Sequence, residues 1–256
     1  MNILDKILAK KREEVSLLVR QKKSCLGPFA ERPVSSFKKA LLQSGTGIIA
    51  ECKRKSPSKG WIYPDADASE IVVSYESAGA AAVSVLTDSE FFGGTCQDLI
   101  SVRPLVKLPL LRKDFLIDPI QVYQSKAIGA DVILLIAAAL APGEAKKMAA
   151  LAHRLRLEVL LEIHTERELD CLCPEIDVVG INNRNLNTFE TSVETSFELG
   201  KKISGEFVKI SESGLSDPSI VNSLRQAGFQ GFLMGENFMK ENSPGQALSY
   251  FITRLS

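Results

Sequence analysis

The 256-residue chain sets 31 Lys and Arg against 31 Asp and Glu, so it has no net charge with which to gather nucleic acid or an anionic membrane. Hydrophobic residues at 45% and charged residues at 24% are the proportions of a soluble globular protein, and the length suits one β/α barrel or two ordinary domains. Cys25, Cys52, Cys96, Cys171 and Cys173 are an odd, scattered set that reads as reduced thiols rather than a secreted disulfide framework.

Cys171 and Cys173 form a C-x-C pair, but with only His153 and His164 elsewhere no structural metal is expected. The opening residues mix charged and apolar side chains and lack the apolar centre of a signal peptide. The longest apolar run, Val132 to Ala141, is too short to cross a bilayer. A cytoplasmic protein is expected, with no membrane, nucleic-acid or obligate protein partner evident.

Ile3, Leu4, Ile7, Leu8, Val15 and Leu18 recur at helical spacing, so the chain opens on a helix. Its run Lys10, Lys11, Arg12, Glu13, Glu14 reads as a solvated face. A looser stretch around Gly27-Pro28 and Arg32-Pro33 leads to a short predicted helix near Ser36 to Leu42. From residue 47 onward short apolar runs alternate with amphipathic ones. Strands are predicted in 47–53, 81–88, 108–115, 131–136, 158–164, 178–183, 207–213 and 231–235. Helices are predicted in Ser69–Ala78, Pro119–Ile128, Pro142–Arg156 and Pro218–Ala227.

Strand alternating with helix implies an α/β protein with parallel strands, either an open doubly wound sheet or a closed barrel. Reaching eight strands at similar spacing favours the (β/α)8, or TIM, barrel. The triplets Ala78-Gly79-Ala80, Ile128-Gly129-Ala130 and Ala227-Gly228-Phe229 agree, each glycine ending a helix before the next strand. A single barrel domain over residues 1–256 is expected, with residues 1–46 as an N-terminal helical extension and no second barrel. Lys53 to Ser58 occupies the place where a Rossmann fold needs G-x-G-x-x-G, which disfavours dinucleotide binding.

In a barrel the C-terminal strand ends build the active site. Glu51 and Lys53, two apart, face the same way, with Cys52 opposite. Alone they could be a surface ion pair. Lys113, Glu162, Asn182, Arg184 and Glu212 then end four further strands, and a ring of charge in a barrel mouth has to be mutually paired or serve a ligand. Lys53, Lys113 and Arg184 against Glu51, Glu162 and Glu212 suits acid–base chemistry. Independently, Ser211-Glu-Ser-Gly214 and Met234-Gly235-Glu236-Asn237 follow the last two strands, where small residues let backbone N–H groups approach a phosphate.

The segments Ile49 to Ser58, Leu111 to Phe115, Leu160 to His164, Gly180 to Leu186 and Ser211 to Gly214 together resemble the indole-3-glycerol-phosphate synthase family over nearly the whole chain. The resemblance implies a step of tryptophan biosynthesis. The phosphorylated small-molecule substrate would be 1-(2-carboxyphenylamino)-1-deoxyribulose 5-phosphate, closed to indole-3-glycerol phosphate with loss of CO2 and water. It implies no metal and no organic cofactor.

On that resemblance Lys113 is the general acid at the substrate carbonyl, and Glu162 removes a proton and stabilises the cationic intermediate. Lys53 would meet the substrate carboxylate or phosphate region and could act as an acid in dehydration. Glu51 and Asn182 would position the substrate, supported by Arg184 and Glu212. Ser56, Ser213, Gly214, Gly235 and the Glu236 N–H would surround the phosphate, and Phe92, Phe115, Leu134 and Leu186 would flank the aromatic ring. A lysine flanked by other cations is expected to have a lowered pKa.

Two positions depart from the family pattern. Cys52 stands where larger apolar residues are usual and should affect packing only, while Glu236 stands where some relatives carry Ser and should turn its carboxylate away from the anion. A phosphoribosylanthranilate isomerase would need a cysteine in the site, which the outward Cys52 does not supply. A barrel that only binds a phosphorylated metabolite would not need Lys113 and Glu162 together.

Overall fold

Apolar runs such as Val132 to Ile136 bury both faces only if helices cover one and other strands' side chains fill the other. In the computed structural model, which describes residues 2–20, 27–186 and 188–255, the chain does this by closing a barrel. Its parallel strands are β1 (Ile48–Cys52), β2 (Ala82–Leu86), β3 (Leu110–Lys113), β4 (Val132–Ile136), β5 (Glu158–Ile163), β6 (Val178–Asn182), β7 (Val208–Glu212) and β8 (Gly231–Met234). Each pairs with its neighbours in sequence, and β1 pairs with β8 through Ile49 and Leu233. Every strand lies inside its predicted run.

The helices begin and end on readable signals. Asp67, Asp118 and Asp217 accept backbone N–H hydrogen bonds at the starts of Ala68–Ser77, Pro119–Ala127 and Pro218–Gln226. Gly79, Gly129 and Gly228 follow the same three helices at φ of 93°, 96° and 87°, the left-handed cap predicted for them.

Alternation along the strands sorts the core into two shells. Ile49, Leu111, Leu134, Leu160, Ile210 and Leu233 fill the barrel, while Ala50, Cys52, Val83, Val159 and Val179 pack outward against the helices. Cys52 is therefore a packing residue, as its place in the strand required. Cys52, Cys96, Cys171 and Cys173 are free thiols, and Cys25 lies outside the described residues.

The N-terminal extension grips the barrel at both ends. Helix α2 (Phe37–Gln43) plugs the lower end with Phe37 and Leu41, both buried in the inner core. The preceding loop is tied down by Asp131, which pairs with Arg32, takes Arg103 Nη1 at 2.6 Å and accepts the Ser35 N–H at 2.7 Å. Helix α1 (Ile3–Arg20) crosses the upper end, where Ile3, Leu4 and Ile7 line the mouth.

One member of the predicted solvated face behaves otherwise. Lys11 is only 2% exposed, with its ammonium 2.9 Å from Asp114, 3.0 Å from Asp88 and 2.7 Å from Glu14. Burial pushes its pKa down, but Asp114 and Asp88 outweigh burial and hold it above the ordinary value. A helical wheel shows which side chains share a face; it does not show that two loop aspartates will meet one of them. A second feature absent from the prediction is an antiparallel hairpin after β1, pairing Lys55–Ser56 with Gly60–Trp61.

Replacing Lys11 with Met leaves Asp88 and Asp114 buried without their ammonium partner. The substitution is expected to destabilise the protein by about 3 kcal/mol, measured by urea unfolding at neutral pH. An unchanged unfolding midpoint and slope would show that the pair does not hold α1.

Candidate active site

Because β1, β3, β5 and β7 turn Glu51, Lys113, Glu162 and Glu212 inward at their upper ends, these groups meet above the apolar interior. Lys113 Nζ lies 2.8 Å from Glu162 Oε2 and 3.6 Å from Glu212 Oε2. Lys53 Nζ lies 2.6 Å from Glu51 Oε1. Glu51, Glu162 and Glu212 are each almost fully buried. Room for Glu212 is made by Gly180 on the neighbouring strand, where a Cβ would sit 2.4 Å from Glu212 Oε1. Gly235 does the same for Glu51, with a Cβ placed 2.7 Å from its Oε1.

Three carboxylates facing two lysines cannot all be comfortably ionised. Burial raises Glu162, but Lys113 and then His164 overcome this and hold it below the usual carboxylate range. Glu212 goes the other way. Burial raises it, Lys113 only partly offsets that, and the negative charges of Glu162 and Glu51 add to the rise. Glu212 is thus the carboxyl that keeps its proton, and protonated it can donate a hydrogen bond to Glu162. Lys113 is pulled down by burial but raised overall, by Glu162 before any other carboxylate. That reverses the lowered value expected from flanking cations: the lysines are close in the motif pattern, yet carboxylates are the nearer neighbours in space.

The mouth cavity, of about 130 Å³, extends from this cluster between Ile7 of α1, Leu134, Leu186 and the pair Phe92 and Phe115. The two rings stand 6.1 Å apart, tilted by 35°, and form an aromatic wall. On the other side a polar cavity of about 360 Å³ is lined by Lys53, Arg184, Ser213, Gly214, Gly235 and Glu236. Ser213 and Gly214 both take positive φ, 70° and 76°. The turn is braced from beneath by Asn183, whose Nδ2 donates to Ser211 Oγ at 3.0 Å and to the Ser213 carbonyl at 2.9 Å. A serine held left-handed at such a place is backbone strain kept by its surroundings.

The predicted residues mostly come together. Glu51, Lys53, Lys113, Glu162, Asn182, Arg184, Glu212, Ser213, Phe92, Phe115, Leu134 and Leu186 line the mouth, and Gly214, Gly235 and Glu236 line the polar cavity. Ser56 does not join them. It is buried in the hairpin, its Oγ accepting the Lys59 N–H at 3.3 Å, while Pro57 and Ser58 face the mouth instead. Ser58 Oγ accepts from Arg184 Nη1 at 3.3 Å. The tight hairpin reverses the alternation that places Lys53, and nothing in the preceding strand foretells it. Glu236 turns its carboxylate to Lys59 Nζ at 2.6 Å, and Lys59 holds its pKa down against burial. Asp88, Asp114 and the α1 side chains also line the mouth, unforeseen because their partners are remote in sequence. Among the described residues no group of three or more His, Cys, Asp or Glu could hold a metal ion, and no helix is long and apolar enough to cross a membrane.

A parallel β/α barrel with an acid–base cluster at its upper mouth, an aromatic wall on one side and a small-residue turn pair on the other belongs to the class of barrels that process anionic small molecules. The indole-3-glycerol phosphate synthase family model matches residues 4–251. Named indole-3-glycerol phosphate synthases from Bacteroides thetaiotaomicron and Polaromonas naphthalenivorans are 52% and 43% identical. The first covers 98% of both chains and the second 97% of both. The chain belongs to the indole-3-glycerol phosphate synthase family. The fold is shared more widely. A mutant tryptophan synthase alpha-subunit from Pyrococcus furiosus superposes with a TM-score of 0.59 at 15% identity, covering 82% of this chain and 97% of that one. KGPDC from Streptococcus mutans gives 0.62 at 13%, covering 81% and 96%.

A neutral Glu212 has a spectroscopic consequence. At neutral pH the infrared carbonyl band of a buried protonated carboxyl should be present in the wild type and absent in Glu212→Gln. Because folding raises this pKa, the proton's contribution to stability is complete below the unfolded value and is lost as pH rises through the folded one. Stability should therefore decline across that interval in the wild type and decline less in Glu212→Gln. Identical carbonyl spectra for the two proteins would refute the assignment.

Proposed function

We propose that the chain catalyses ring closure of 1-(2-carboxyphenylamino)-1-deoxyribulose 5-phosphate to indole-3-glycerol phosphate, with release of CO2 and water, in tryptophan biosynthesis. The observation that carries the residue assignment is Lys113 held 2.8 Å from Glu162, between an aromatic wall and a polar cavity lined by small residues. One barrel formed by the whole chain, with residues 1–46 as its extension, suffices for this. The aryl ring lies against Phe92, Phe115, Leu134 and Leu186, and the phosphate against the backbone of Gly214 and Gly235 with Ser213 beside it. Lys59 neutralises Glu236 next to the phosphate, so the Glu236 N–H rather than its carboxylate meets the anion.

Attack of the aromatic carbon turns the substrate ketone oxygen into an alkoxide. An alkoxide is more basic than any amine, so a lysine needs no lowered pKa to protonate it. Lys113, kept charged by its carboxylates, supplies both the proton and the positive field where negative charge develops. The intermediate then carries positive charge on the ring nitrogen, which ionised Glu162 stabilises before CO2 departs. Dehydration removes the hydroxyl as water and a proton from the adjacent carbon, which Glu51 accepts and returns to Lys53 across 2.6 Å. Lys53, paired with Glu51, stands on the phosphate side of the mouth and protonates the leaving hydroxyl, and Asn182 and Arg184 hold the sugar hydroxyls.

Product formation is read directly by the fluorescence of the new indole. Lys113→Met leaves buried Glu162 without its ammonium partner and is expected to be less stable. The fraction that is folded by circular dichroism should lose about 10³-fold or more in kcat, since the substitution removes donor and field together. Wild-type protein that binds the substrate without producing indole fluorescence would overturn the reading.

A further inference from the structure

His164, directly after β5, is a titratable group that no step above uses. Its side chain is 9% exposed, and the ring bridges two carboxylates. Nε2 lies 3.4 Å from Glu162 Oε1, and Nδ1 lies 3.4 Å from Glu168 Oε2. Neither nitrogen has an aligned hydrogen-bond partner. Glu162 faces the mouth cavity, whereas Glu168 and His164 line an adjoining cavity of about 370 Å³, which shares Leu4, Asn182, Arg184 and Leu186 with the mouth and is rimmed by the exposed Thr165 and Glu190. His164 therefore sits between Glu162 at the reacting centre and Glu168 in the solvent-facing pocket.

The chemistry has a use for such a bridge, given the ring-closure reading on which this inference rests. The carboxylate leaves as CO2 and takes no proton. The ketone oxygen takes two protons on its way to water, and the adjacent carbon returns one. Each turnover thus consumes one proton from solution, while Glu162 is buried and Lys113 only partly exposed in the mouth beneath α1 and the hairpin.

We propose that His164 relays this proton from the solvent-facing cavity to Glu162, acting as a positioning residue for the acid–base pair without touching substrate. Once Lys113 has donated, its neutral amine no longer holds Glu162 down, and the carboxylate becomes basic enough to accept from the imidazolium. The Nε2 proton moves 3.4 Å to Glu162 Oε1, and rotation of the neutral carboxyl then presents it to the Lys113 amine, which lies 2.8 Å from Oε2. Nδ1 is served by Glu168 and the water of the outer cavity, which restores the imidazolium. The electrostatics agree: burial lowers the His164 pKa, but Glu168 and Glu162 outweigh it, with Lys113 opposing, so the value is raised. Arg184 and Glu190 are the other charged groups lining the outer cavity.

The test compares the wild type with His164→Gln and His164→Ala in steady-state turnover across pH, with and without added imidazole. Wild-type indole formation comes first, because its absence would defeat the ring-closure reading and not the relay. With turnover established, both variants should lose about tenfold in kcat at little change in KM. The wild-type decline in kcat as pH rises through the raised His164 value should vanish in His164→Gln. Imidazole should restore kcat of His164→Ala in a concentration-dependent way. Variant kcat and pH profiles that superimpose on the wild type, or a kcat loss that imidazole leaves untouched, would overturn the relay. If His164→Ala fails to fold, the His164→Gln pH profile decides alone.

Discussion

Three carboxylates and two ammonium groups converge on the mouth of this barrel, and keeping that many charges together in a nearly dry space is the constraint that organises the site. Each pair satisfies itself first: Lys53 with Glu51, and Lys113 with Glu162. The remaining carboxyl, Glu212, avoids a surplus negative charge by holding its proton. The arrangement needs space as well as balance. Gly180 and Gly235 provide it by leaving the volume of a Cβ to a carboxylate from the next strand. Below the cluster the barrel is filled by apolar side chains such as Ile49, Leu111, Leu160 and Ile210, which offer the charges no partner.

The covering of the site follows from the same constraint. Helix α1 brings Ile3, Leu4 and Ile7 over the mouth, and Lys11 fastens it through Asp88 and Asp114. Asp114 directly follows Lys113, so the latch of the extension and the central acid share one stretch of backbone. A closed mouth strengthens every electrostatic interaction inside it, and it also makes the supply of protons a structural problem.

The strands and the charged ring were legible in the sequence because both rest on short-range rules. Apolar runs bounded by Gly and Asp mark barrel strands, and a period of two puts Glu51 with Lys53 and away from Cys52. What was not legible depends on contacts between residues remote in the chain. Lys11 has the same local pattern as Lys10 and Arg12, and only the arrival of Asp88 and Asp114 buries it. The Lys113 pKa runs opposite to expectation because three carboxylates, not the other lysines, are its nearer neighbours. Ser56 falls outside the mouth and the polar cavity because a short hairpin, with three residues between its strands, resets which side faces in. His164 sits inside the Leu160 to His164 motif, yet its bridge to Glu168 appears only when the turn after β5 folds back.

The division of the site into an aryl side, a central acid–base cluster and a phosphate side is tested most directly by a structure with the substrate bound after reduction of its ketone to an alcohol, which cannot cyclise. The ring-closure assignment requires that alcohol oxygen within hydrogen-bond distance of Lys113 Nζ, the aryl ring beside Phe92 and Phe115, and the phosphate on the backbone of Gly214 and Gly235. A phosphate seated among Glu51, Glu162 and Glu212, or an aryl ring outside the mouth, would contradict it.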